Sequence, residues 1–258
     1  MSIYEHFRAE EKPFIDQVFA WREEAGTYHQ ERMTDFLDPR QQDILRSVIG
    51  HSEEVVLAFD GGSRGSERKR SSIRPAYLQY EVVDWPISVL KATFSSKFLT
   101  LDHRDVLGAL MNSGMKREKF GDIIVKEDAF LFACAKEMES YLLATFTQVG
   151  KAKIELQSAD EGEFAIPEET WAERSTTISS MRLDTVVAAV SGLSRTKASD
   201  AIGKGLVKVN WKQIEDPSFK LDEGDYLSVR GIGRSKLLAI EGRTKKDKYR
   251  VVLGKKQG

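Results

Sequence analysis

The residues best placed to do chemistry in this 258-residue chain are cations, and they gather between residues 181 and 210. That stretch reads MRLDTVVAAVSGLSRTKASDAIGKGLVKVN. Arg182 and Arg195 each fall in the first turn of an expected helix. There the macrodipole disfavours positive charge by roughly 0.3–1 kcal/mol. Asp184 offsets the first case only. Lys197 and Lys204 lie seven residues apart and so share a helix face. Lys208 and Lys212 carry the basic surface onto a following strand. Each lysine alone reads equally well as solvated charge. Six cations on one short unit, two of them against the dipole, point instead to a phosphate-bearing ligand.

The elements that must position these cations follow from apolar spacing. Leu183, Val186, Val187 and Val190 recur at i, i+3, i+4 and i+7, which predicts a helix with Ser179 or Ser180 as cap and Ser191-Gly192 as stop. Ser194 caps a second helix with Ala198, Ala201 and Ile202 as its stripe, and Gly205 sits where a left-handed residue ends it. Residues 207–212 alternate as a strand. Val207, Val209 and Trp211 would face one way, and Lys208, Asn210 and Lys212 the other.

This stretch resembles the S4 RNA-binding domain. The matching residues are Arg182-Leu183-Asp184, Ser194-Arg195-Thr196-Lys197-Ala198, Ile202, Gly205, Val207, Val209, Asn210 and Gly224-Asp225. Many S4 domains follow the Asn with Gly, whereas Trp211 follows here. The RNA-binding set expected is Arg182, Asp184, Ser194, Arg195, Thr196, Lys197, Lys204, Lys208 and Asn210. Arg230, Arg234 and Lys236 are further basic candidates near strand ends.

Charge distribution supports a polyanion partner for this third. Residues 1–75 carry 11 Lys+Arg against 14 Asp+Glu, residues 76–175 carry 11 against 17, and residues 176–258 carry 17 against 9, net +8. With no run of 18 apolar residues and no basic-then-apolar N-terminus, neither a membrane span nor a signal peptide is expected. The single cysteine, Cys134, lies in the apolar run AFLFACA and reads as a small buried hydrophobe, in keeping with a reducing cytoplasm.

Upstream, residues 1–75 read as a mainly helical α/β module. Pro13 starts one helix, with Phe14, Val18 and Trp21 along it. Asp38-Pro39 starts another, and residues 54–59 form a strand. The loop Asp60-Gly61-Gly62-Ser63-Arg64-Gly65 matches neither phosphate-loop spacing. It reads as a flexible basic loop in which Arg64, Arg68, Lys69 and Arg70 could touch RNA backbone. Residues 76–160 predict strands at 77–83 and 87–94, a helix at 102–113 capped by Asp102, strands at 123–125 and 129–133, a helix at 136–146 and a strand at 153–157. This β-(β)-α-β-β-α-β order resembles the split βαβ plan of RRM-type domains, but without an RNP1 pattern. RNA contact there would fall to His103, Arg104, Lys116, Arg117 and Lys119. Residues 161–178, acidic with Pro and Gly, read as a linker, and 179–258 as the S4 domain. The expected class is α+β.

The wider arrangement looks like the YlmH family of bacterial ribosome-associated RNA-binding proteins. Its specific part is H-R-D-x-L-G-x-L-M-N-x-G-x-x-R-E-K-x-G-D, residues 103–122. That resemblance implies binding to the large ribosomal subunit, through its rRNA, and to tRNA held on it, in rescue of stalled nascent chains. A monomeric protein without a cofactor is expected.

No catalytic constellation is expected. His6, His29, His51 and His103 are scattered, none lies in H-E-x-x-H, and no cysteine pair supports zinc. Two other classes compete. S4 domains also accompany pseudouridine synthases and tyrosyl-tRNA synthetases, whose motifs are missing here. A protein–protein adaptor with a vestigial S4 domain would associate with partners independently of nuclease.

Overall fold

A computed structural model describes residues 7–50, 52–95, 100–166 and 170–256. His6 and His51 lie outside the described residues. The chain forms two compact units, Met1–Glu168 and Glu169–Gly258.

In the first unit, α1 (Lys12–Gly26) and α2 (Pro39–Ile49) pack on a sheet of β1 (Arg32–Met33), β2 (Val55–Asp60) and β3 (Arg70–Pro75), ordered β1-β3-β2. Ile15, Val18 and Trp21 of α1 meet Leu45 and Val48 of α2 in one core. Asp38 starts α2 by accepting from the Gln41 amide at 2.9 Å, while Gln41 accepts from the Asp38 amide at 3.0 Å.

The expected flexible basic loop is not loose throughout. The Arg68 guanidinium donates to the carbonyls of Phe36 (2.7 Å) and Phe120 (3.2 Å). Arg70, 5% exposed, donates to the carbonyls of Thr34 and Pro86, both at 2.7 Å. Arg68 and Arg70 are therefore internal ties. The sequence concealed β3 because RSSIRP is polar, yet all six residues are buried. Cross-strand carbonyls and hydroxyls satisfy much of that polarity, as when the Ser71 amide donates to Thr34 Oγ1 at 2.8 Å. The strand expected at 77–83 is absent. Ala76–Leu78 is a 3-10 turn, and the Arg74 guanidinium donates to the Glu81 carbonyl at 3.3 Å.

The second layer follows the expected order: β4 (Ile87–Phe94), α3 (His103–Asn112), β5 (Phe120–Val125), β6 (Ala129–Ala135), α4 (Glu139–Thr145), β7 (Gln148–Val149) and β8 (Ala152–Ser158). Pairing is antiparallel, in the order β5-β6-β4-β8-β7, so this is the split βαβ arrangement with a short hairpin added. Alternate residues of β6 face opposite ways. Phe130, Phe132 and Cys134 share a core with Val106 and Leu110 of α3 and Leu142 of α4. Leu131 and Ala133 share a smaller core with Phe36 and Phe164. All of β6 is buried. The face that RRM-type sheets offer to RNA is thus covered by residues of the same unit. Gly121 permits this, since a Cβ there would stand 2.8 Å from the Phe36 ring and 3.0 Å from Ala133 Cβ. Asp122 accepts from the amides of Glu67 and Arg68.

In the second unit, β9 (Trp171–Ile178), α5 (Leu183–Ser191), α6 (Arg195–Gly203), β10 (Val207–Val209), β11 (Lys212–Gln213), β12 (Tyr226–Val229), β13 (Gly233–Arg243) and β14 (Tyr249–Lys256) build a sheet ordered β11-β10-β12-β13-β14-β9. Both helices bury their stripes in one core with the sheet: Leu183, Val186, Val187, Ala198 and Ile202 against Val207, Val209, Leu227, Val229, Leu237 and Val251. The segment 161–178 is structured at both ends. Phe164 is buried in the first unit, and residues 171–178 pair with β14 from Trp171↔Lys256 to Ile178↔Tyr249. Exposed charges along β9 hid an edge strand whose alternation is weak.

Phe36→Ala should empty the contact between the two layers of the first unit and destabilise it by about 3–5 kcal/mol, measured by urea unfolding. Burial pushes the Cys134 thiol up to about 12. Iodoacetamide at pH 8 should therefore label it only after the protein is unfolded.

Candidate nucleic-acid interface

Helix α5 starts two or three residues later than its Ser caps implied. Arg182 occupies the cap position without a side-chain cap bond, and the segment 217–219 takes that role. The amides of Leu183 and Asp184 donate to the carbonyls of Phe219 (2.8 Å) and Pro217 (3.1 Å). Ser180 Oγ sits 3.0 Å from Thr185 Oγ1 instead. The other helix signals match the structure. Gly192 ends α5 at φ +71°, Ser194 Oγ accepts from the Lys197 amide at 3.3 Å, and Gly205 follows α6 at φ +68°.

The two arginines meet on one carboxylate. Arg182 donates to Asp184 through Nε (3.2 Å) and Nη2 (3.0 Å), and Arg195 donates through Nε at 3.1 Å. Thr185 Oγ1 adds a fourth bond at 3.1 Å. The Asp184 side chain is 4% exposed, against 39% for Arg182 and 55% for Arg195. Burial alone would push the Asp184 carboxyl up. The bonds from Arg182, Arg195 and Thr185 outweigh it and hold the group below the usual carboxylate range. The carboxylate is inward and the guanidinium groups reach solvent, so Asp184 holds the two arginines in place. The dipole penalty at each helix start is smaller than the roughly 1.5–3 kcal/mol gained for each buried aliphatic side chain of the stripes, so the helices form despite it. Thr196, Lys197 and Lys204 are exposed on or beside α6, completing a cationic surface on the helical side of the sheet.

The remaining residues of the expected set divide. Asn210 is engaged inside the unit: its carboxamide donates to Asp225 at 2.8 Å and accepts from the Tyr226 amide at 2.9 Å. Asp225 is fully buried and also accepts from the Asp222 amide at 2.8 Å. Arg230 is exposed in the turn after β12, its own amide bonded to the Leu206 carbonyl. Lys208 and Lys236 project from the sheet face opposite the helices. Lys208 pairs across from Ser228, whereas its neighbours Val207 and Val209 are core, and Lys236 pairs across from Tyr226.

The strand expected over 207–212 breaks at its middle. Asn210 (φ +46°) and Trp211 (φ +67°) form a two-residue turn between β10 and β11, with Val209 opposite Lys212. Both positive φ values are those of a type I′ hairpin, which favours Asn-Gly. Trp211 therefore leaves the face of Val207 and Val209 and turns toward Tyr226, ring centroids 5.2 Å apart. A bulky left-handed residue costs about 1–2 kcal/mol. One aromatic contact returns about 0.5–1.5 kcal/mol, so packing at best offsets the strain.

In the first unit, the cations expected to assist are mostly committed. Arg117 donates to the carbonyls of Phe120 (2.6 Å) and Gly121 (3.2 Å), and burial pulls its guanidinium down to about 10. Lys119 bridges Asp35 (2.8 Å) and Glu137 (3.0 Å). His103, Arg104 and Lys116 are exposed. Although the residue is exposed overall, partial loss of water around the His103 ring, then the nearby Arg117 charge, holds its imidazole below the ordinary value.

Residues 81–163 match the model described as "Putative RNA-binding domain in YlmH", and residues 181–226 match the S4 domain. The chain is 45% identical over 250 residues to the ribosome-associated protein quality control protein P2 of Bacillus subtilis, covering 97% of each chain. The chain belongs to the YlmH family. A solved YlmH structure, titled a cell division protein, from Streptococcus pneumoniae is 26% identical, with a TM-score of 0.52. The match covers 64% of this chain and all of that one. In this chain the run 103–122 supplies helix α3, which Asp102 caps from just before it, the close approach at Gly121 and the amide acceptor Asp122. No described helix is long and apolar enough to cross a membrane.

Because the Asp184 carboxyl is held low, its stabilisation is fully present above the ordinary aspartate value near 3.9 and is lost as pH falls through its lower folded value. Asp184→Asn should lower stability at pH 7, and its gap from the unmodified protein should narrow below about pH 4, read from urea midpoints at both pH values.

Proposed function

We propose that this protein binds structured RNA of the large ribosomal subunit, and tRNA held there, in the quality control of stalled nascent chains. It acts as a binding protein rather than an enzyme. The observation that carries this reading is the pair of solvent-reaching arginines, Arg182 and Arg195, locked side by side on the buried Asp184. Such a pair is preorganised, so little side-chain freedom is lost when phosphates arrive. Lys197 and Lys204 widen the same surface, and residues 176–258 carry a net charge of +8, from 17 Lys+Arg and 9 Asp+Glu. A rigid cationic helix pair suits the shape and backbone of folded RNA better than a sequence code. The identity with the Bacillus subtilis quality control protein supports the ribosomal setting.

The first unit serves, in this reading, as the arm of the same protein. Its N-terminal module covers the sheet of the second module, and of the cations and the histidine expected to touch RNA there, Arg64, His103, Arg104 and Lys116 are exposed. Arg117, Lys119 and Asn210 are structural.

Neutralising about five phosphates should make log K fall with log salt by a few units. Arg182→Ala with Arg195→Ala should reduce that slope by about two and release the protein from ribosomes, checked by co-sedimentation across a salt series. Co-sedimentation of the double variant equal to the unmodified protein would overturn the site. Turnover of RNA or nucleotide by the purified protein would overturn the non-catalytic reading.

A further inference from the structure

The sheet face turned away from the helices carries a second array that phosphate contacts do not explain. Tyr226 stands at its centre. Trp211 lies on one side at 5.2 Å between ring centroids, and Trp171 of β9 on the other at 6.1 Å. Lys236 Nζ sits 4.2 Å over the Tyr226 ring and donates to its hydroxyl at 2.8 Å. Beside Trp211 and Tyr226 opens a pocket of about 130 Å³, lined also by Lys208, Leu227, Ser228 and Arg234. A cavity of that order holds one planar ring. Lys208 and Arg234 are exposed at its rim, while Trp171 and Trp211 are half-buried.

Trp211 is the informative residue. It occupies a left-handed turn position that favours glycine, and its contact with Tyr226 does no more than offset the strain. Strain retained without a return in stability is a mark of a functional position. Aromatic faces suit any base, because every base has a π face, and flanking lysine and arginine suit the phosphates on either side of it. An RNA duplex hides its bases, so a stacking site requires an unpaired one.

We propose that Trp211 and Tyr226 form a subsite for one unpaired nucleobase of the bound RNA, with Lys208 and Arg234 on its flanking phosphates. This rests on the RNA-binding reading above and adds to it a preference for RNA with a bulged or looped-out base. The helix-borne arginines bind backbone on one side of the sheet, and the aromatic subsite takes a base on the other.

The test uses the full chain and two RNA hairpins, one fully paired and one carrying a single bulged 2-aminopurine. The unmodified protein should bind the bulged hairpin about five- to hundredfold more tightly and quench the 2-aminopurine at saturation. Trp211→Gly restores the residue that the turn favours, so the fold survives, with a Tm equal to or above that of the unmodified protein. It should lose the preference and the quenching while keeping its affinity for the paired hairpin within about twofold. Arg195→Ala with Lys197→Ala should weaken both hairpins alike and leave the preference intact. If the unmodified protein binds both hairpins equally with no quenching, the subsite is overturned while the RNA-binding reading stands. That is also the result if the rings seat a protein side chain instead. If Trp211→Gly retains the preference, the assignment to Trp211 is overturned. If neither hairpin is bound at all, the RNA-binding reading itself fails.

Discussion

One carboxylate shielded from water organises the basic surface of the second unit. Two guanidinium groups brought close repel each other, and each also sits at a helix start where positive charge is disfavoured. Asp184 removes both objections at once. It accepts from Arg182 and Arg195 and stays charged, because those bonds outweigh the effect of its burial. The arrangement needs α5 and α6 at a fixed distance, which the shared aliphatic core sets. It also needs the start of α5 held by the segment 217–219, whose carbonyls accept the first amides. Core, helix start and ion cluster therefore depend on one another.

The first unit answers a different constraint. Its sheet has apolar residues on both faces of β6, so each face needs a cover. The helices α3 and α4 supply one, and Phe36 with Phe164 supplies the other. Arg68 fixes that second cover through the carbonyls of Phe36 and Phe120. A split βαβ sheet can bind RNA through an open face, and here that face is filled. Resemblance to RRM-type domains thus extends to topology and not to the surface that does the recognising.

The sequence revealed elements whose signals are local. The α5 and α6 stripes, the Ser194 cap, the left-handed Gly192 and Gly205, and the capping box at Asp38 all depend on neighbours within four residues. It concealed elements whose partners are distant. Strand β3 reads as polar because its serines and arginines are satisfied by residues far along the chain. Strand β9 reads as a charged linker because it is an edge, and only its pairing with β14 makes it a strand. The arginines of the loop before β3 looked like surface charge for the same reason: their acceptors are remote carbonyls. At the interface, the cations were legible by spacing. That Asp184 joins two of them, that Asn210 is internal, and that Trp211 enters a turn were not, since each needs the tertiary neighbour.

The pairing of β9 with β14 has a temporal consequence. The strand that opens the second unit finds its partner some eighty residues later, at positions 249–256. During synthesis β9 must wait, its hydrogen-bonding edge unmet, until that last strand has cleared the exit tunnel. Closure of the sheet consequently comes after α5 and α6 have been made, and long-range closure of this kind slows folding.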